Sequence, residues 1–417
     1  MKKRCGLNFF KSFLSFIAFI FLFSFTVPSA FSGDKAKIGA LMPMTGGLQA
    51  YGKSCLTGIK LAVEQINKDG GLLGSELVIK LGDTQTSPQM GTDAAHKLVS
   101  IENVFGIVGA LSSGVSIPVA QSISSTAKIP QISPASTSPV ITELEDKDFL
   151  FRSVPSDAFQ GVALAQVVTE AAYKVAYKNI AIVYLNNDYG KGLDESFKKA
   201  YEKLGGQVSI SVPYEPGNAS YRGELAKAAS TNADALLLIA YPENGITILR
   251  QAIEGRYFTK FLFTDGLKAP EIIDALGEKF LNGSFGTSSQ AMENTDAGKL
   301  YDAAYKKRFG EAPPKPYIDT AYDAAFVLAL AAEKAGSLKG KEVKEQLRAV
   351  ANEPGEVILP GEWAKAKKLI AEGKDIQYVG ASGSIDFDDK GDVAGTFAHW
   401  KIEDGKIKTV KVFEPEM

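Results

Sequence analysis

The chain has 417 residues, with 46 Lys and Arg against 48 Asp and Glu, a formal net charge of −2 and a hydrophobic share of 45%. That balance suits a globular protein and excludes one that binds nucleic acid through a basic surface. The only cysteines, Cys5 and Cys55, exclude a disulfide framework, and the length exceeds what single cores reach, so about two domains are expected.

Met1-Lys2-Lys3-Arg4 precedes an almost unbroken apolar run over 9–25 and small residues at Ser29, Ala30 and Ser32. This is the layout of a secretory signal peptide, expected at 1–32 with cleavage after Ala30 or Ser32. No cysteine stands at that junction to accept a lipid, so a soluble exported protein is expected. Removing Lys2, Lys3, Arg4 and Lys11 from 46 basic residues leaves 42 against 48 acidic ones, a formal charge of −6.

From 37 the apolar pattern alternates between short runs and helical spacing. Strands are expected at 37–42, 77–81, 105–108 and 129–132, with helices at 56–66, 88–99 and 115–126 between them. Residues 149–154 break the alternation, and Pro155-Ser156-Asp157 opens a helix with Asp157 as its cap. A second series follows, with strands at 180–185, 208–212, 235–240 and 261–263 and helices at 192–204, 221–229 and 245–253. Beyond 269 the chain is rich in helix (295–309, 318–335, 341–350), and it closes with β-like runs at 397–402 and 406–413. Strands alternating with helices predict parallel sheets covered on both faces, and two such series predict two similar α/β lobes.

Several patterns invite catalytic readings. Gly47 to Ser54 fits Gly-x4-Gly-Lys-Ser, but four residues, Pro43 to Gly46, separate it from the first strand, and Leu262-Phe263-Thr264-Asp265 is a poor magnesium partner; it reads as a chance match. His96 and His399 are isolated, there is no Gly-x-Ser-x-Gly turn, and Ser125-x-x-Lys128 lacks its companion motifs. No catalytic residue, metal site or cofactor is expected, and the chain reads as a non-enzyme. Asp386 to Asp392 alternates carboxylates as a calcium loop does, but Lys390 takes a ligand position and Phe397 stands where a glutamate is required, which leaves a solvated hairpin turn.

The informative residues stand past strand ends, where ligands bind in open α/β sheets. Ser112 and Ser113 fall where a strand hands over to a helix; they suit a helix cap, or a carboxylate held by free backbone N–H groups and a hydroxyl. From that segment alone the cap is the simpler reading. Tyr51, Tyr189 and Tyr241, expected to be exposed, follow the strands at 37–42, 180–185 and 235–240. With Ser113, Thr137 and Asp265 at other strand ends they describe an apolar-walled pocket with donors and acceptors of both signs, suited to an α-amino acid.

Ile38-Gly39-Ala40 through Pro43-Met44-Thr45-Gly46, Ala50-Tyr51-Gly52, Gly58, Ile66 to Gly71, Asp83, Ser133 to Thr137, Asp188-Tyr189-Gly190 and Gly391-Asp392 follow one another in an order that resembles the periplasmic branched-chain amino acid (leucine/isoleucine/valine) binding proteins of ABC transporters. The resemblance covers nearly all of the chain beyond the leader. It implies a type I, two-lobed fold with mostly parallel sheets and three hinge crossings, near Val154, at Thr264 to Asp265 and around 385–395. The implied division is 33–154 and 266–384 in one lobe, 155–265 in the other, with the hinge return and C-terminal strands at 385–417. By the same resemblance, Ser113 and Thr137 hold the ligand carboxylate and part of its amine with help from the Ala135 backbone, and Tyr51, Tyr189 and Tyr241 border the side-chain pocket. Asp265 falls where the family usually has a glutamate for the ligand ammonium, and Ser112 where close relatives carry cysteine. The implied function is a monomeric periplasmic receptor that closes on an amino acid and delivers it to ABC permease and ATPase subunits. Alternatives are a receptor of the same fold for amides, urea or aromatic carboxylates, and a sensor input domain.

Overall fold

A computed structural model describes residues 34–170 and 177–416. The expected signal peptide, 1–32, lies outside them. No helix among the described residues is long and apolar enough to cross a membrane.

Five strands, β1 (Ala36–Met42), β2 (Leu77–Asp83), β3 (Ile107–Gly109), β4 (Gln131–Ser133) and β5 (Leu150–Arg152), form a parallel sheet in the order β2-β1-β3-β4-β5. The centre of this sheet is near-continuously apolar because helices cover both faces; Ile38, Ala40, Ile107, Val108 and Ile132 are fully buried. One covering pair is Gln49–Lys68 against Ile318–Ala335, brought close at Gly58, where an added Cβ would lie 2.1 Å from the Ile318 carbonyl oxygen.

The second sheet has seven strands. β6 (Asn179–Leu185), β7 (Gln207–Tyr214), β8 (Ala235–Ile239), β9 (Phe261–Phe263) and β10 (Phe285–Ser289) are mutually parallel, and β14 (Phe397–Glu403) and β15 (Lys406–Phe413) extend the sheet antiparallel beyond β10. Between β10 and β14, three short strands, β11 (Glu356–Ile358), β12 (Ile376–Gly380) and β13 (Gly383–Ser384), make a small separate sheet.

Two expectations need correction. The second crossing does not fall at Thr264 to Asp265, because Phe285 and Gly286 of β10 pair with Leu262 and Phe263 of β9; the chain stays with the second sheet through Ser289. Four of the five residues in 285–289 are Ser, Thr or Gly, so the strand character of the run is set by neighbours on both sides rather than by propensity. The turn at 386–392 is not simply solvated either. Asp392 receives two bonds from the fully buried Arg152 guanidinium, from Nε to Oδ1 at 2.6 Å and from Nη2 to Oδ2 at 2.6 Å, which ties the end of β5 to the last return between the sheets.

Candidate functional site

The carboxyl ends of β3, β4, β6, β8 and β9 face one another across the junction of the two halves. Their following loops close a cavity of about 20 Å3, lined among others by Tyr51, Ser113, Ala135, Tyr189, Tyr241, Asp265 and Tyr317. That volume admits about one water molecule. The halves are therefore in contact, and any solute enters only when they part.

Each wall is positioned by local chemistry. Tyr51 lies in the first turn of Gln49–Lys68, which can pack against the preceding loop only because Gly52 has no side chain: a Cβ there would stand 2.1 Å from the Pro43 carbonyl oxygen. The Tyr51 hydroxyl crosses the junction and donates to the carbonyls of Asp265 (2.9 Å) and Lys268 (3.2 Å). Tyr189 and Tyr241 stack with ring centroids 5.4 Å apart. The three tyrosines expected to be exposed are 1%, 3% and 6% exposed, because the opposite half covers them. Gly266, next to Asp265, is held close to the second sheet; a Cβ there would sit 2.5 Å from the Ala240 carbonyl oxygen.

Ser112 precedes the helix Ser113–Val119 but makes no side-chain cap; its hydroxyl instead pairs with the Tyr241 hydroxyl at 3.1 Å, across the junction. The Ser113 hydroxyl accepts from the Ser138 N–H at 3.2 Å and keeps its own proton for the cavity it lines. Like Ser112, Thr137 does not reach the cavity wall; its hydroxyl donates to Asp157 Oδ2 at 2.7 Å.

Asp265 is the hub of the polar wall. Oδ1 accepts from the Tyr189 hydroxyl (2.8 Å) and Gln160 Nε2 (2.9 Å), and Oδ2 accepts from the Tyr317 hydroxyl (2.7 Å). Burial still pushes its carboxyl above the ordinary range, against the pull of those donors.

The sequence marks Asp157 only as a helix cap, and Gln160 and Tyr317 not at all. Ser156, not Asp157, caps the helix Asp157–Thr169, accepting from the Ala158 N–H. Asp157 is fully buried, and its Oδ1 has no hydrogen-bond partner; Gln160 Oε1, one turn along the same helix, has none either. Burial and then the charge of Asp265 push the Asp157 carboxyl well above its usual range. Two buried carboxylates and a free amide oxygen thus converge behind the cavity wall, which Asp265 alone of the three lines and which carries no cation; the nearest positive charge acting on Asp157, Arg152, is already paired with Asp392. Such a cluster is short of one positively charged donor group.

The remaining motifs resolve into structure. In Gly47 to Ser54 the loop amides are used locally, with Gln49 N–H bonded to the Gly46 carbonyl and Tyr51 and Gly52 N–H to the Leu48 carbonyl, so they form no phosphate cradle. No group of three His, Cys, Asp or Glu able to hold a metal occurs among the described residues.

Two parallel-stranded halves that meet over a buried pocket at their strand ends define a two-lobed receptor of the type I periplasmic binding fold. Residues 35–373 match the family described as periplasmic binding protein, and the chain belongs to that family, within its leucine/isoleucine/valine receptor group. It is 30% identical to a leucine-, isoleucine-, valine-, threonine- and alanine-binding protein of Pseudomonas aeruginosa, over 76% of this chain and 83% of that one. It is 27% identical to a chemotactic signal transduction system substrate-binding protein of Halobacterium salinarum, over 85% and 84%. Among solved structures it is similar to a leucine-binding protein of Thermotoga maritima, with a TM-score of 0.77 and 28% identity over 91% of this chain and 99% of that one. Members of the family are substrate-binding receptors rather than enzymes.

Proposed function

We propose that this protein is the exported solute receptor of an ABC importer, closing its lobes on an α-amino acid and presenting the closed form to a membrane permease. The observation that carries this reading is the buried pair of Asp265, on the wall of a cavity that no cation lines and that Ser113 and Ala135 also line, and Asp157 behind it with Oδ1 unpartnered. A ligand ammonium supplies the missing donor, taking Asp157 Oδ1 and Gln160 Oε1, while its carboxylate meets Ser113 and the backbone beside Ala135. Tyr51, Tyr189 and Tyr241 then enclose the side chain, with Ser112 steadying Tyr241 and Thr137 holding Asp157 in place. Ligand contacts from both lobes favour the closed state, which is what differential affinity requires. The direct test is a thermal-shift and calorimetric panel of branched-chain and small amino acids against neutral amides, urea and ring carboxylates. Stabilisation by the amino acids alone supports the reading; stabilisation by amides or ring acids alone refutes it.

One specific relative favours a second reading, as the input module of a sensory pathway, because the Halobacterium protein belongs by name to a chemotactic system. The two readings divide on which membrane protein retains the ligand-loaded form in a pull-down, a permease or a signal transducer.

Two consequences can be measured on purified protein. Removing the Ser112 hydroxyl (Ser112→Ala) deletes one bond between the lobes, and a net loss of about 0.5–1.5 kcal/mol should weaken ligand binding roughly two- to tenfold by calorimetry. Acidification should act in opposite directions on the free and liganded forms. Both site carboxyls have folded-state pKa values raised above their unfolded ones, so the free protein binds protons more readily than the unfolded chain and gains stability as pH falls through the raised values toward the ordinary carboxylate range. The ligand ammonium needs the ionised carboxylates, so affinity should fall over the same interval, with protons released on binding. Calorimetry in buffers of different ionisation enthalpy reads that release; affinity that rises on acidification would contradict the ammonium assignment.

A further inference from the structure

Beside the ligand cavity, separated from it by Tyr317, lies a groove of about 750 Å3, lined by the segments that pass between the two halves, among them Pro155, Gln290 and Gly395. Its two sides carry opposite charges that attract one another across it but make no ion pair within contact distance among the described residues. From the second half comes Lys268, whose Nζ donates to two neutral acceptors, Ser288 Oγ at 3.1 Å and Gln290 Oε1 at 2.9 Å, with no carboxylate in ion-pair reach among the described residues. From the first half comes Asp319, which accepts from the Thr320 N–H at 2.9 Å and has no cation in ion-pair reach among the described residues. Beside it stands Tyr301, 2% exposed, whose hydroxyl has no hydrogen-bond partner. Burial lowers the Lys268 ammonium to about 8 and raises the Asp319 carboxyl, and the attraction between the two offsets part of each shift.

We propose that this groove is a second binding site, for a small zwitterion whose carboxylate sits on Lys268 and whose ammonium group sits between Asp319 and the Tyr301 hydroxyl. The site is built from both halves, so its dimensions change whenever they rotate about the crossings. Two residues link it to the ligand cavity. Tyr317 lines both, its hydroxyl on Asp265, and Lys268 turns its carbonyl to Tyr51 and its ammonium to the groove. Occupation of the groove is therefore coupled to closure of the cleft, and by reciprocity the cleft ligand changes affinity at the groove.

Calorimetry of the mature chain with glycine, 4-aminobutyrate and 6-aminohexanoate as probes tests this, with butyrate and butylamine as half-probes carrying one charge each. The expected result is one binding event that survives Asp157→Asn, is weakened about tenfold or more by Lys268→Met and by Asp319→Asn, and is about tenfold weaker for either half-probe. The Asp319 substitution is nearly isosteric, so it carries the test if Lys268→Met does not fold. The proposal is overturned if no probe binds once Asp157 is replaced, or if binding persists unchanged in Asp319→Asn. Because cleft binding is read separately, through its loss in Asp157→Asn, the failure of either site is distinguishable from that of the other.

Discussion

Asp157→Asn should lower amino-acid affinity about a hundredfold or more while leaving the melting temperature of the free protein unchanged or higher. The carboxylate is fully buried, faces the charge of Asp265, and leaves Oδ1 without a partner, so in the empty protein it is a source of instability. Asparagine keeps an oxygen for the Thr137 hydroxyl and removes the like-charge repulsion. For the ligand the change is doubly unfavourable. A charge-assisted bond worth about 1.5–3 kcal/mol is lost, and an amide N–H now points at an ammonium that also has only donors, with a desolvation cost of about 1–3 kcal/mol. At about 1.4 kcal/mol per factor of ten, the sum reaches the stated range. Differential scanning calorimetry and titration calorimetry on the same samples separate the two effects. A drop in melting temperature with affinity within threefold of the parent would assign Asp157 to the scaffold instead.

That residue also marks how far the sequence could be read. Ser113, Tyr51, Tyr189, Tyr241 and Asp265 were legible because strand-helix alternation locates strand ends, and strand ends of a parallel sheet converge on one edge. Asp157 follows Pro155-Ser156 at a helix start, where an aspartate ordinarily caps, and nothing local says that Ser156 takes that role. Tyr317 stands after a proline-rich loop with φ of 73°, beyond any strand end, and meets Asp265 only because Ile318–Ala335 packs on the first half. Thr137 was placed correctly in the chain, but its hydroxyl turns to Asp157, a choice fixed by a neighbour 20 residues away. The β10 strand was missed for a related reason, since its small polar residues have no strand signature without the sheet around them. Local pattern thus gives the frame and the positions on its edge, while the wiring among buried polar groups depends on contacts between distant segments.

The second large effect is expected at Arg152, which lies at the end of β5 with no side-chain exposure. Besides its two bonds to Asp392, its guanidinium donates to the Ser138 carbonyl at 3.0 Å and to the Thr142 hydroxyl at 2.8 Å. It therefore joins three segments: the strand leading to Asp157, the loop after Thr137, and the return that reaches β14. Arg152→Met should cost about 3–5 kcal/mol, because Asp392, only 13% exposed, keeps a charge whose partner has gone. The melting temperature should fall by roughly 10 °C, given about 2–4 °C per kcal/mol for chains of a few hundred residues. Replacing both partners, Arg152→Met with Asp392→Leu, removes the stranded charge and should recover more than half of that loss, a coupling that a double-mutant cycle measures. Ligand affinity adds a second readout. If the guanidinium sets the position of the Asp157 and Thr137 segments, the double variant should regain stability yet bind the ligand at least tenfold more weakly than the parent, a loss equivalent to about 1.4 kcal/mol. Recovery of both stability and affinity would show that the pair serves the hinge alone, and that the site carboxylates are positioned by Thr137 and the helix that carries them.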